Sequence, residues 1–397
     1  MPGSFIRQKR NLFSHIDWVL FVVLWPLLVA GLVTMNSFSG EGLTTGIDGD
    51  LLFNRQISWI IIGVLIFFGA SFIDWRFLRK TWVSVILFLF STFLLGLLFG
   101  VGSVFQGAQS WFDFGAFSFQ PADLIKIFLI IILAKYFSKR HIEIAHIRHI
   151  LVSGFYAGVI FLLVFMQPDF GSAIILFMIW FGMVLVSGIS KKHLLAVFLI
   201  GILIFALLWG FVFAPYQKAR ILTFINPLAD TTGAGYNALQ STIAVGSGKI
   251  LGKGIGYGTQ SRLRFLPEYE TDFIFAAYAE EWGFLGVLML FLLFSLLIWR
   301  ILKIAYKGAT NFEILFGLGV AILFTSHFIV HVGMNVGLLP ITGTTIPLIS
   351  YGGSHLVTEF LALGILMGMR KYSREIHKED IKNEFLGVSK EEDLEVI

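Results

Sequence analysis

The chain has 397 residues, of which 57% are hydrophobic and 14% charged, with a mean hydropathy of +0.84, against roughly 45–50% apolar and 25% charged in soluble domains. That balance excludes a soluble globular enzyme and indicates a polytopic membrane protein. The net charge of +4 says little as a total, because the partition of Lys and Arg between loops sets orientation, and the absence of cysteine excludes disulfides, thiolate catalysis and Cys-ligated metals.

The N-terminus is basic at Arg7, Lys9 and Arg10 and leads into an apolar run near Trp18 to Met35 with no small-residue cleavage site, which reads as an uncleaved first span. Apolar runs of bilayer-crossing length, about 17 to 25 residues, recur near 18–35, 57–73, 82–101, 120–137, 150–166, 170–188, 194–213, 273–299, 312–335 and 354–369. The expected fold is therefore all-α, a polytopic membrane domain over 1–370 with about ten transmembrane helices, followed by a solvated tail over 371–397. Lys and Arg collect on one side, at Arg76, Arg79 and Lys80, at Lys139, Arg140 and Arg148, at Lys191 and Lys192, at Arg300, Lys303 and Lys307, and at Arg370, Lys371 and Arg374. This partition predicts that both termini are cytoplasmic. The opposite loops 36–56, 102–119, 167–169 and 336–353 hold a single basic residue, Arg55.

One outer segment, 214–272, departs from that pattern in both length and charge. It carries Lys218, Arg220, Lys249, Lys253, Arg262 and Arg264, and a basic outer loop calls for an anionic partner. Tyr236 to Val245 places Leu239 and Ile243 at helical spacing, as in a short interfacial helix. Gly252, Gly254, Gly256 and Gly258 alternate, which suits either plain turns or amide nests that hold phosphate.

Ionisable groups inside or beside spans mark function by default, since each needs a partner or a cavity. Asp123 and Lys126 lie three apart on one helical face and suit an ion pair, while Asp169 follows Pro168 where it can cap the next span. His327 and His331 have the i, i+4 spacing of a metal pair, yet no third ligand follows at fitting spacing, so packing and interhelical hydrogen bonds account for them. Glu280 and Glu281 fall deeper along the helix than Asp272 and are not read as its catalytic partners.

The segment Phe265 to Glu281, FLPEYETDFIFAAYAEE, sets Glu268, Glu270 and Asp272 two residues apart at an apolar helix start. Crowded, partly buried carboxylates can serve as general bases. The structural reading of the same residues is that Thr271 is an N-cap and Asp272 a first-turn acid.

The stretch from Arg220 to Gly286, together with WFDFG at Trp111, QPADLIK at Gln120, QPDFGSA at Gln167 and GLLPITGTTIPLISYGGS at Gly337, resembles the RodA/FtsW family of shape, elongation, division and sporulation proteins over nearly the whole chain. The GKG and GTQS stretches favour a RodA-like member, while the segment from Gly337 resembles FtsW equally. The resemblance implies a peptidoglycan glycosyltransferase that polymerises lipid II at the outer face of the bacterial cytoplasmic membrane, together with a class B penicillin-binding transpeptidase and membrane lipids. No nucleic-acid partner is expected. Asp272 matches the family's essential loop acid, and Trp111, Arg220, Lys126 and Asp169 fall on positions lining its cavity. Asp123 stands where the family usually has Glu, and His331 where it usually has Asn.

With that substrate, Asp272 would take the proton of an acceptor sugar hydroxyl, Arg220 and Lys126 would meet the pyrophosphate, and Glu268 would join the substrate site. A divalent cation, Mg²⁺ or Mn²⁺, is expected to assist the leaving group, with Asp123 as the candidate metal ligand. The rival readings are a lipid II flippase and a non-catalytic scaffold for wall synthesis. Crowding of charge at the outer edge, without a polar path through the bilayer, favours chemistry there.

Overall fold

The computed structural model describes residues 15–37, 47–105, 108–115, 117–139, 147–213, 215–229, 233–263, 265–266 and 268–385. Helices α1 (Trp18–Asn36), α2 (Ile47–Phe72) and α3 (Thr81–Val101) lead into a small antiparallel sheet of β1 (Ser103–Phe105), β2 (Ala108–Asp113) and β3 (Ser118–Phe119). Then come α4 (Pro121–Ser138), α5 (Ile147–Met166), α6 (Phe170–Val186) and α7 (Lys191–Leu207). The outer segment folds into α8 (Pro215–Ile225), α9 (Ala234–Ser247) and the single turn α10 (Thr259–Arg262), and the chain closes with α11 (Ile274–Ala305), α12 (Asn311–Asn335) and α13 (Gly353–Phe385).

A long helix stands at each of the ten expected spans. Among the described residues, seven are long and apolar enough on their own to cross a membrane, and α6 is a shorter apolar helix. Charge sets the others apart, since α4 carries Asp123, Lys126 and Lys135 while α13 carries Glu359 and a charged C-terminal half. Helix α13 runs past the expected boundary at 370 to Phe385, and 386–397 lie outside the described residues.

Local chemistry fixes the helix ends. Asp17 caps α1 by accepting from the Leu20 N–H at 3.0 Å, Pro121 opens α4, and Glu313 reaches back to the N–H groups of Ala309 and Thr310 at 2.7 and 3.2 Å. The best-buried helices are α4 and α12, and Phe316, Phe324, Ile125, Ile127 and Ile130 are among their core side chains. Helices α2 and α13 approach closely, because a Cβ at Gly63 or Gly364 would collide with Phe360 or with Phe67 and Ala70. By contrast, α7 leaves Leu195, Phe198, Leu199, Ile202 and Leu203 exposed, which hydrocarbon tolerates and water does not.

Candidate active site

The main chain of the acid segment is held by hydrogen bonds from several sides. Glu268 adopts a left-handed φ of 49°, and its carbonyl accepts the N–H groups of Thr271, Asp272 and Phe273 at 3.2, 3.0 and 3.2 Å. This compact turn delivers the chain into α11. The N-cap of α11 is Phe273, without a side-chain cap bond, and the helix has no acid in its first turn. Thr271 and Asp272 are therefore not the cap and first-turn acid of the structural reading; they stand on the turn before the helix.

Three outside elements grip that turn. Tyr351 N–H donates to the Glu270 carbonyl at 2.9 Å, and Ser350 Oγ donates to the Thr271 carbonyl at 2.8 Å. Asn335, fully buried at the last turn of α12, donates through Nδ2 to the Asp272 carbonyl at 3.0 Å and accepts through Oδ1 from Ala276 N–H at 3.2 Å. Ser241 on α9 donates to the carbonyl of Asn335 at 2.8 Å, which brings the outer loop onto the same junction. Asp272 itself stays partly exposed, with Oδ2 beside Gly343 of the 336–352 loop. Glu268 is exposed and Glu270 half-buried. Burial pushes the Tyr351 phenol up, moderated by a hydrogen bond from Arg55.

A second polar centre lies in the interior among α4, α12 and α13. Lys126 Nζ stands 2.9 Å from Asp123 Oδ1 and 3.3 Å from His327 Nε2, and both members of the ion pair are buried. His355 Nδ1 lies 3.4 Å from the same Asp123 oxygen, and its Nε2 lies 2.9 Å from Glu359 Oε1. This centre is tied to the loop behind the acid segment. Glu359 Oε2 accepts the Leu348 N–H at 3.0 Å, while His327 and His331 meet the carbonyls of Thr345 and Thr344 at 3.2 and 2.7 Å.

The expected sites separate accordingly. Asp123 and Lys126 form the ion pair that their spacing suggested, and both side chains are buried. Lys126 and His355 both meet Asp123 Oδ1, while Oδ2 is buried without a hydrogen-bond partner among the described residues. Among the described residues no three His, Asp or Glu side chains converge as a ligand set. His327 makes an interhelical hydrogen bond of the kind its position suggested, to Lys126 at 3.3 Å. Asp169 caps α6 by accepting from Ser172 N–H at 3.0 Å and also receives Gln120 Nε2 at 2.7 Å, so QPADLIK and QPDFGSA meet. Trp111 stands half-buried on β2, opposite Ser103. Arg220 belongs to α8, and its side chain lies outside the described residues.

The glycine-rich turns hold carboxylates of the protein itself. Glu280, fully buried, accepts Lys253 Nζ at 2.6 Å and the Thr259 and Gln260 N–H groups at 2.9 and 3.1 Å, while Glu281 accepts Gly256 N–H at 2.7 Å. Helix α11 breaks at Gly283 (φ 66°, ψ −169°), where Phe284 and Leu285 N–H groups donate to Lys249 and Ile250 carbonyls at 2.9 and 3.1 Å. The nest reading is thus correct in kind, but the anions are Glu280 and Glu281 instead of phosphate.

Asn335, Tyr351, Gln56, His355 and Glu359 were missed by sequence reasoning. Glu359 carried a usable signal as the lone acid within the run 354–369, whereas Asn335 at the end of a span looks like any polar helix terminus.

The chain resembles Stage V sporulation protein E of Bacillus subtilis, 35% identical over 90% of this chain and 98% of that one. Peptidoglycan glycosyltransferase MrdB of Escherichia coli K12 is 34% identical over 92% and 96%, and the probable peptidoglycan glycosyltransferase FtsW of Thiomicrospira cyclica is 34% identical over 89% and 91%. Sporulation, MrdB and FtsW relatives thus match almost equally. Among solved structures, a chain of a peptidoglycan synthase complex that coordinates polymerisation and crosslinking superposes with a TM-score of 0.75 at 29% identity, covering 90% of this chain and 98% of that one. The rod-shape-determining protein RodA of Thermus thermophilus superposes with a TM-score of 0.66 at 27% identity, over 89% and 96%. The family of cell cycle proteins that unites FtsW, RodA and SpoVE matches residues 17–375, and the chain belongs to it.

Proposed function

We propose that this glycosyltransferase polymerises lipid II into glycan strands at the outer face of the bacterial cytoplasmic membrane, with Asp272 as general base. The observation that carries the reading is the contrast at Asp272, whose main chain is fixed by Asn335 and by the bonds to Glu268 while its carboxylate remains partly exposed. A base needs both a fixed direction and access to substrate.

In this mechanism an acceptor sugar hydroxyl gives its proton to Asp272 as its oxygen forms a bond to the anomeric carbon of the donor. The bond from that carbon to the lipid pyrophosphate breaks, and the configuration inverts, as with the base of inverting glycoside chemistry. Basic residues of the outer segment, with Arg220 foremost, face the leaving pyrophosphate. Glu268, Trp111 and Asp169 shape the approach of the sugars. Lys126 acts as the partner of Asp123, and no step is assigned to a divalent ion because no three His, Asp or Glu side chains converge among the described residues.

The partition of basic residues supports cytoplasmic termini and an external 214–272 segment. The similarity to a peptidoglycan synthase complex supports a class B penicillin-binding transpeptidase as partner. The GKG and GTQS stretches favour a role in cell elongation.

The test is polymerisation of lipid II by the purified chain, with and without a partner transpeptidase, compared with Asp272→Asn. General-base catalysis contributes about 10² to 10⁴ in rate, so the variant should fold, bind lipid and lose nearly all polymer. Polymerisation by Asp272→Asn at close to the wild-type rate rejects the assignment.

A further inference from the structure

The outer side of this chain is bare of positive charge apart from the 214–272 segment and one arginine, Arg55. Of the two cations that the sequence offered to the pyrophosphate, Lys126 is 3% exposed and already faces Asp123. A cation that is matched and buried cannot meet an incoming anion without losing its partner. Arg55 is placed differently. It is exposed on the outer part of α2 and lies close enough to the Tyr351 phenol for its charge to act on it, as does that of Glu270.

The position is constructed from both sides. Gln56, the next residue, is buried, donates to the Ser350 carbonyl at 3.2 Å and accepts Gly352 N–H at 3.5 Å. Tyr351, between those two, donates its N–H to the Glu270 carbonyl at 2.9 Å, two residues before Asp272. Helix α2, residues 350–352 and the acid segment are therefore joined by hydrogen bonds, with Arg55 exposed beside them. An arginine guanidinium has a planar set of donors that matches phosphate oxygens, and Tyr351 removes part of its freedom before any ligand arrives.

We propose that Arg55 is a substrate-contacting residue that takes phosphate oxygens of a polyprenyl-linked pyrophosphate beside the acid segment, with Tyr351 fixing its direction. This inference rests on the reading of the chain as a polymerase of a lipid-linked sugar. It assigns a cation close to Asp272 in addition to Arg220. The anion could also belong to a membrane phospholipid, and the experiment separates the two sources.

The measurement is binding to the full chain in phosphatidylcholine nanodiscs of undecaprenyl pyrophosphate, of neutral undecaprenol and, in parallel, of phosphatidylglycerol. Arg55→Gln should weaken pyrophosphate binding fivefold or more, leave undecaprenol and phosphatidylglycerol within twofold of wild type, and be partly rescued by Arg55→Lys. A smaller loss for the pyrophosphate lipid, or an equal loss for either of the others, overturns the proposal. A readout on the unmodified protein guards against a variant that does not fold. Undecaprenyl pyrophosphate should protect Arg55 from phenylglyoxal, as read by peptide mass spectrometry, and the absence of protection overturns the proposal as well. Neither arm requires turnover, so a wild-type chain that binds through Arg55 but makes no polymer would reject the polymerase reading and leave the anion contact standing.

Discussion

The side-chain amide of Asn335 spans the junction between the acid segment and α11, donating to the Asp272 carbonyl at 3.0 Å while accepting from Ala276 N–H at 3.2 Å. The first N–H groups of a helix have no partner within it, and α11 lacks a side-chain cap of its own. Asn335 supplies one from a different helix and fixes the backbone of the proposed base in the same step. Asn335→Leu leaves both groups unsatisfied, at about 1–3 kcal/mol for each buried group. The variant should melt at lower temperature in detergent and, assayed well below its melting point, polymerise at least tenfold more slowly. Asn335→Asp keeps the acceptor but loses the donor to Asp272, so it should recover stability better than activity. Normal turnover in both variants would show that the clamp does not set the direction of Asp272.

The pair of Asp123 and Lys126 makes a prediction about stability. Both side chains are buried, at 3% exposure each, and removing one member of a buried pair leaves a charge uncompensated, at about 3–5 kcal/mol. Lys126→Met should therefore be severely destabilised, with His355 and His327 left against an altered centre. The double variant Asp123→Asn with Lys126→Met should regain much of the loss, because no net charge is then stranded. Thermal unfolding of the two single variants and the double variant gives the coupling directly. A fully stable Lys126→Met would mean that the pair does not hold α4 in place.

On the basic side of the molecule, Asp17 receives Arg300 at 2.5 Å and Arg370 at 3.2 Å, which ties the start of α1 to α11 and α13. Burial by itself would raise this carboxyl, but the hydrogen bonds from Arg300 and Leu20 and the charges of Arg370 and Arg300 outweigh it, holding the group below its ordinary value of 3.8. A carboxyl depressed in the folded state stabilises the fold above its unfolded value, and that contribution is lost as pH falls through the folded value. Asp17→Asn should therefore be less stable than wild type at neutral pH. The gap should narrow as the pH drops below about 4. Melting curves across that range test it, and a gap that does not change with pH would rule out titration of Asp17 as the cause.

Hydropathy made the ten long helices legible, since a bilayer-length apolar run leaves few alternatives, and the pair of Asp123 and Lys126 followed from i, i+3 spacing. The acid segment also stood out, because carboxylates at an apolar helix start are rare enough to notice. What surrounds it did not. Asn335, Ser350, Tyr351 and Gln56 act from positions 56 to 350 and more, and long-range contacts of this kind leave no local period in a sequence. The glycine-rich turns show the same limit: alternating glycines suited plain turns or an amide nest equally, and nothing local pointed to Glu280 and Glu281 as the groups that meet their amides.

That occupancy leads to the last prediction. Glu280 accepts one side-chain ammonium and two main-chain N–H groups from residues 253–260 and has no exposed surface. Hydrogen bonds to a charged group contribute about 1.5–3 kcal/mol, so the carboxylate is a strong polar tie between the outer segment and α11. Glu280→Gln keeps the shape but removes the charge that Lys253 and the two amides share. The segment should then open more often without global unfolding, as local opening follows local stability. Trypsin cleavage after Lys253 and Arg262 should rise about tenfold, the equivalent of about 1.4 kcal/mol. Glu281→Gln removes the charge that the Gly256 amide meets and should raise cleavage by a smaller factor. If instead the nest amides were poised for phosphate, Glu280→Gln would free a phosphate site, and inorganic phosphate at millimolar concentration would restore protection. Cleavage that rises and does not respond to phosphate places Glu280 as a structural anion; cleavage unchanged from wild type would mean that the segment is held by its apolar contacts alone.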